Sequence, residues 1–264
     1  MDLPCPAPAI RTKADVVLYE QHDAVTSQFL RSLFVHFDSD DYVWIGVNAE
    51  RRKQDLTIQD LVKGLRQMPD DKAFPELPPN ITPAPAVDLG KCFIKRPQVY
   101  HLLDKDVAPL VPQILLDEAK TLEILKENPH PDIVPYFGCS VKRGRITGIV
   151  LRRYHSVLDR RFLSDASEFD VEVFKEALNA ALQHIHGLGL AHNDINPSNI
   201  ALDANDRPVI IDWGSCKHFG AELLSAGTPG WIEDDFDISK QDHDVTAVEK
   251  VLQWVRQEKE RWSK

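Results

Sequence analysis

The chain has 264 residues, a formal net charge of −10, 43% hydrophobic and 27% charged side chains, the balance of a globular chain long enough for one large domain or a mid-sized one with a smaller companion. The acidic excess disfavours a surface that tracks a phosphate backbone, so nucleic acid is not an expected partner. No apolar run approaches the roughly 18 residues of a membrane span, and Met1-Asp2-Leu3-Pro4-Cys5-Pro6 lacks a basic region leading into an apolar one, so neither a membrane nor a secretory signal is expected.

The four cysteines, Cys5, Cys92, Cys139 and Cys216, show no Cys-x-x-Cys spacing; reduced thiols of a cytoplasmic or nuclear protein are the expectation. From the N-terminus, Val16-Val17-Leu18-Tyr19 predicts a short strand. Ser32 to Phe37 and Tyr42 to Val47 predict a hairpin about the polar turn Asp38-Ser39-Asp40-Asp41. Thr57 or Asp55 would cap a helix carrying Leu61, Val62 and Leu65 on one face. Five prolines between Pro75 and Pro85 predict an extended linker. The division is therefore an α+β segment over 1–73, a linker over 74–86 and a second domain over 87–264.

Past the linker, Cys92-Phe93-Ile94-Lys95 reads as a strand and Ile114 to Glu127 as a helix. Ile133 to Cys139 and Thr147 to Leu151 read as strands about the basic turn Lys142-Arg143-Gly144-Arg145. From Asp170 to Gly187, Phe174, Ala177, Leu178, Ala181, Leu182 and Ile185 recur at helical spacing. Ile200-Ala201-Leu202 and Val209-Ile210-Ile211 predict a second hairpin. A last helix from about Asp244 would bury Val248, Val251, Leu252 and Val255.

The densest chemistry is His192-Asn193-Asp194-Ile195-Asn196-Pro197-Ser198-Asn199, followed by Asp212-Trp213-Gly214. A tight hairpin separates the two pieces, so Asn199 and Asp212 should converge. An amide oxygen and a carboxylate at a loop mouth suit Mg²⁺, which keeps its other positions for water and phosphate. Asp194 stands where it would accept a hydroxyl proton. Any one of these residues alone is more simply a turn residue; the whole string at this spacing is not. In the helix over 114–127, Glu118 shares a face with Leu115, Leu122 and Leu125. A carboxylate there is costly unless paired, and Lys95 is its natural partner. Glu123 is the alternative acid, off the leucine face.

These motifs resemble the protein kinase family. His192-Asn193-Asp194 with Asn199 looks like the catalytic loop, Asp212-Trp213-Gly214 like the metal-binding Asp-Phe-Gly, and Ala226-Gly227-Thr228-Pro229-Gly230-Trp231 like the end of the activation segment. His130-Pro131-Asp132-Ile133-Val134 is similar to the run that follows the family's glutamate-bearing helix. The resemblance covers roughly residues 87–255 and is closest to compact kinase-like proteins of fungi. It implies a bilobal α+β fold, a small β-rich lobe with a truncated helical lobe, preceded by an extra N-terminal α+β segment. It also implies ATP and Mg²⁺ as cofactors, Asp194 as base, Asn199 and Asp212 on the metal, and Lys95 held by Glu118 on the phosphates. Leu151, Arg152 and Tyr154 would meet the adenine at a hinge, and Asp244 would anchor the catalytic loop.

Four departures qualify the resemblance. No G-x-G-x-x-G precedes Lys95; the earlier glycines are Gly46, Gly64 and Gly90. Phe93 stands where the family keeps a small alanine. Asn193 and Asn196 replace an arginine and a lysine, removing a partner for a phosphorylated loop and a positive charge near the transferred group. After Trp231 there is no Ala-Pro-Glu, and little chain remains for a peptide-docking lobe. The expected function is an ATP- and Mg²⁺-dependent phosphotransferase of Ser/Thr protein kinase type, acting on a protein or small-molecule hydroxyl. The alternatives are a pseudokinase binding or scaffold module and a small-molecule kinase of the aminoglycoside or choline type.

Overall fold

A computed structural model describes residues 8–23, 25–86, 88, 90–164, 166, 168–224, 227–233 and 235–262. Cys5, Val87 (the expected start of the second domain) and Ala226 lie outside the described residues. Two compact units form. One takes the chain up to Pro79 with Arg96–Leu116 and Ser140–Gly148; the other takes Asn80–Lys95, Asp117–Cys139 and the chain from Ile149 onward.

The first unit is built on an antiparallel sheet in the order β1 (Val17–His22), β2 (Phe29–Phe37), β3 (Val43–Asn48), β4 (Arg66–Gln67). The β2–β3 turn forms because Asp38 accepts the N–H groups of Asp40 and Tyr42 on Oδ1, and the Trp44 indole N–H on Oδ2. Strand alternation sends neighbouring side chains to opposite faces. Phe34 and Trp44 therefore join one buried cluster with Leu56 and Leu61, while Val35, Val43 and Ile45 join another with Phe74 and Val99. Helix α1 (Ile58–Gly64) starts at Thr57, which exchanges capping bonds with Asp60. Leu61 and Leu65 are buried but Val62 is 42% exposed, because 100° per residue turns it off the face they share. A short helix α2 (Asp70–Ala73) follows.

Within the same unit a polar cluster is buried. Asp41, 6% exposed, accepts hydrogen bonds from Arg96 Nη2 at 2.5 Å and Thr147 Oγ1 at 2.7 Å. Arg96 also donates to the Thr147 carbonyl. A buried carboxylate is tolerated only with such partners.

The proline-rich stretch holds no helix or strand and is tied down by single bridges. In the second unit, Ala84 N–H reaches the Cys139 carbonyl and Cys139 N–H the Thr82 carbonyl. Gly138, at φ +126°, makes this approach possible, since a Cβ there would stand 2.7 Å from the Thr82 carbonyl oxygen. β5 (Cys92–Lys95), β6 (Tyr136–Lys142) and β7 (Arg145–Arg152) form a sheet in the order β5-β7-β6. Helix α3 (Val111–Glu127) begins three residues before the sequence suggests and buries Leu115, Glu118, Leu122 and Leu125.

After β8 (Ser156–Val157) and α4 (Leu158–Arg161), helix α5 (Val171–Gly187) is capped by Asp170 and buries the six apolar side chains that its periodicity marks. β9 (Leu190–Ala191), β10 (Ile200–Leu202), β11 (Pro208–Ile210) and β12 (Lys217–His218) follow, with β8 and β11 flanking β10 and β9 paired to β12. Helix α6 (Gln241–Trp262) buries Asp244 with Ala247, Val248, Val251, Leu252 and Val255. No helix among the described residues is long and apolar enough to cross a membrane.

Candidate active site

Strand β5 and helix α3 meet through charge. Lys95 Nζ lies 2.7 Å from Glu118 Oε1 and 2.7 Å from Asp212 Oδ1. The lysine side chain is 19% exposed and the Glu118 side chain 3%. Glu118 also accepts the Trp213 N–H at 3.1 Å, so the ion pair and the Asp-Trp-Gly turn share an anchor. Burial alone would favour neutral lysine, but the Glu118 and Asp212 carboxylates more than offset it and hold the ammonium charged far above neutral pH. Burial likewise opposes a charged Asp212, yet Lys95 draws that carboxyl below its usual range. Glu123, the alternative acid, is occupied elsewhere. It accepts Thr82 N–H and Oγ1 and the Tyr136 hydroxyl.

The loop from His192 to Asn199 is hung on Asp244 at the start of α6. That carboxylate is fully buried and accepts the backbone N–H groups of His192 and Asn193, each at 2.8 Å. His186 Nε2 lies 2.9 Å from the same group. Asn193 sits at φ +62°, a left-handed conformation that asparagine tolerates better than most residues. Its amide nitrogen donates to the Ala191 and Ser215 carbonyls and to Ser239 Oγ. Asn193 is thus a turn organiser, 2% exposed.

The Asp194 carboxylate is held on both oxygens. Oδ1 accepts Thr228 N–H at 2.8 Å, the Thr228 hydroxyl at 2.7 Å and Asn196 Nδ2 at 3.1 Å. Oδ2 accepts Asn199 Nδ2 at 2.8 Å. Asn199 Nδ2 also faces the Asp194 carbonyl; two acceptors fix which end of the amide is nitrogen. Asn199 Oδ1 and Asp212 Oδ2 accept no hydrogen bond among the described residues.

Lys95, Asn199 and Asp212 border one cavity of 400 Å³, with Phe93, Val134, Leu151, Arg152, Tyr154 and Ala201 among its other walls. A mostly apolar cleft of this size, lined by a few polar side chains, is the usual form of a small-molecule site. Phe93 lines the space without closing it. Along the expected hinge, Arg152 N–H is bound to the Pro135 carbonyl and Arg153 N–H to Lys91, while Tyr154 N–H has no main-chain acceptor among the described residues. The structure thus gathers Lys95, Glu118 and Asp212, joins Asp194 to Asn199, and sets Leu151, Arg152 and Tyr154 along the same cleft. Sequence reasoning missed the second partner of Lys95 and the grip of Thr228 and Asn196 on Asp194. Thr228 lies in a recognisable run, but no local spacing ties it to a residue 34 positions earlier.

A family model described as protein kinase domain matches residues 101–236. Among curated relatives, the MAP kinase kinase kinase SSK2 of Saccharomyces cerevisiae is 28% identical over 169 residues, covering 62% of this chain and 10% of that protein. The mitogen-activated protein kinase kinase kinase 3 of Arabidopsis thaliana is 26% identical, covering 45% of this chain and 20% of its own length. The serine/threonine-protein kinase Sgk1 of Rattus norvegicus is 31% identical, with 36% of this chain and 22% of its length covered. The chain therefore spans about a tenth to a fifth of the relatives it matches.

Proposed function

This chain belongs to the protein kinase family, and on that premise we propose that it is an ATP- and Mg²⁺-dependent phosphotransferase that passes the terminal phosphoryl group to a Ser/Thr-type hydroxyl. The observation that carries the reading is the Lys95–Glu118–Asp212 ion triad, two members of which, Lys95 and Asp212, line the 400 Å³ cleft. Glu118 and Asp212 orient the Lys95 ammonium, which would bind phosphate oxygens. Asp194 is the base: Oδ1 is saturated by three donors, whereas Oδ2 carries one and keeps a lone pair for the incoming proton. Tyr154 N–H, which meets no main-chain acceptor among the described residues, is the hinge donor left for the edge of the base.

Asn199 Oδ1 and Asp212 Oδ2, which accept no hydrogen bond among the described residues, are a hard donor set that fits Mg²⁺. Two protein oxygens suffice for an ion that takes most of its ligands from water and phosphate. When bound, the ion supplies charge neutralisation and alignment of the phosphates. The names of the relatives, serine/threonine and MAP kinase kinase kinases, support a protein hydroxyl as acceptor.

A second reading, a nucleotide-binding scaffold without transfer, is favoured by one observation. The grip on Asp194 is made by the neutral amide of Asn196, so no cation of that loop attends the transferred group. Transfer from labelled ATP with Mg²⁺ decides between them. Wild type is expected to incorporate label into itself or a generic protein acceptor, Asp194→Ala and Asp212→Ala to lose at least about 100-fold. Equal signal from all three sinks the enzyme reading, and no signal with intact nucleotide binding selects the scaffold.

A further inference from the structure

Phe93 is 47% exposed, a large apolar ring lining a cleft whose neighbouring Val134, Leu151 and Ala201 are buried. On β5 it stands opposite Leu151 of β7, with Lys95 opposite Ile149. Strand geometry puts residues two apart on one face about 7 Å from each other. A ligand whose charged end meets Lys95 therefore lays its body against the Phe93 ring. Main-chain recognition of the base edge at this site is thin: the Arg152 and Arg153 N–H groups are spent on main-chain carbonyls, which leaves Tyr154 N–H as the hinge donor. What the cleft offers a base is mainly area.

We propose that Phe93 is a specificity-determining residue that stacks on the nucleobase, so that the chain selects its nucleotide by ring area, purine over pyrimidine. The inference rests on the nucleotide-binding reading above and adds to it how the base is chosen. Stacking on an aromatic ring needs no hydrogen-bond pattern, since every base has a π-face, and a purine presents the larger one. Phe93 supplies that face from the strand that carries Lys95.

The test is calorimetric titration of the full chain with adenosine, guanosine and cytidine, and in parallel with ADP and Mg²⁺. Wild type is expected to bind both purine nucleosides more tightly than cytidine. Phe93→Ala should weaken adenosine about 10-fold, the loss of one base–aromatic stack, and shrink the purine preference; Phe93→Trp should restore both. Tighter binding to Phe93→Ala marks the ring as a plug and overturns the proposal, as does an unchanged purine preference. If wild type binds Mg-ADP in an Asp212-dependent way but ignores Phe93, stacking alone fails. If wild type binds neither nucleoside nor Mg-ADP, both readings fail.

Discussion

The Asn196 amide touches three acceptors at once: the Asp194 carbonyl, Asp194 Oδ1 and Thr228 Oγ1, all within 3.2 Å. Its oxygen meanwhile accepts the Ser198 N–H and caps the turn that follows. Where the sequence suggested only a lost charge, the residue is a brace for the proposed base. Hydrogen bonds to charged groups contribute about 1.5–3 kcal/mol, and 1.4 kcal/mol is a factor of ten in rate. Asn196→Ala is therefore expected to lower kcat about 10-fold while leaving the KM for ATP nearly unchanged, as steady-state kinetics would read. A lower melting transition of the unit that holds Asn196, with unaltered kcat, would assign Asn196 to folding alone. Asp194 and its string of neighbours were legible because the residue types and spacing are local. The grip of Thr228 was not, because it forms across a loop whose path no local rule dictates.

Gly46 in β3 and Gly64 at the end of α1 illustrate what an element can require of a residue. The ring of Phe34, wholly buried, lies against both; a Cβ at Gly46 would stand 1.9 Å from its Cε2, and one at Gly64 2.5 Å from its Cζ. Read along the chain, these glycines stood out only for failing to form a phosphate loop. In the fold they are the hollow that seats an aromatic side chain between strand and helix. Gly46→Ala is expected to destabilise the chain by about 3 kcal/mol through overpacking, read as a lower urea midpoint. Pairing it with Phe34→Leu should recover part of the loss, because the two changes act on one contact. The turn at Asp38, the Thr57 cap and the α5 stripe were legible in advance, since each depends on neighbours within a few positions. The start of α3 and the span of β1 were placed less well, because pairing and packing extend elements past their local signals.

At the scale of the whole molecule, two compact units make a single melting temperature an unsafe description. Ligand binding stabilises the unit that holds the site by mass action, about 2.7 kcal/mol at 100 times Kd. ADP with Mg²⁺ is expected to raise the transition of the unit containing Lys95 and Asp212 by on the order of 5 °C, visible by scanning calorimetry. Asp212→Asn should remove the Mg²⁺-dependent part of that shift; a shift equal in both proteins would discard Asp212 as a metal ligand.

The sequence by itself determined the family resemblance, the order of the longer elements past the prolines and the pairing of Lys95 with Glu118. Each follows from short-range spacing or from the cost of a lone carboxylate on an apolar helix face. Only the tertiary structure decided that Asp212 shares Lys95, that Thr228 and Asn196 grip Asp194, that Tyr154 N–H meets no main-chain acceptor among the described residues, and that Phe93 lines an open cleft. Those contacts join residues up to 117 positions apart, and the direction in which a side chain points across such a gap is set by packing rather than by its neighbours in the chain.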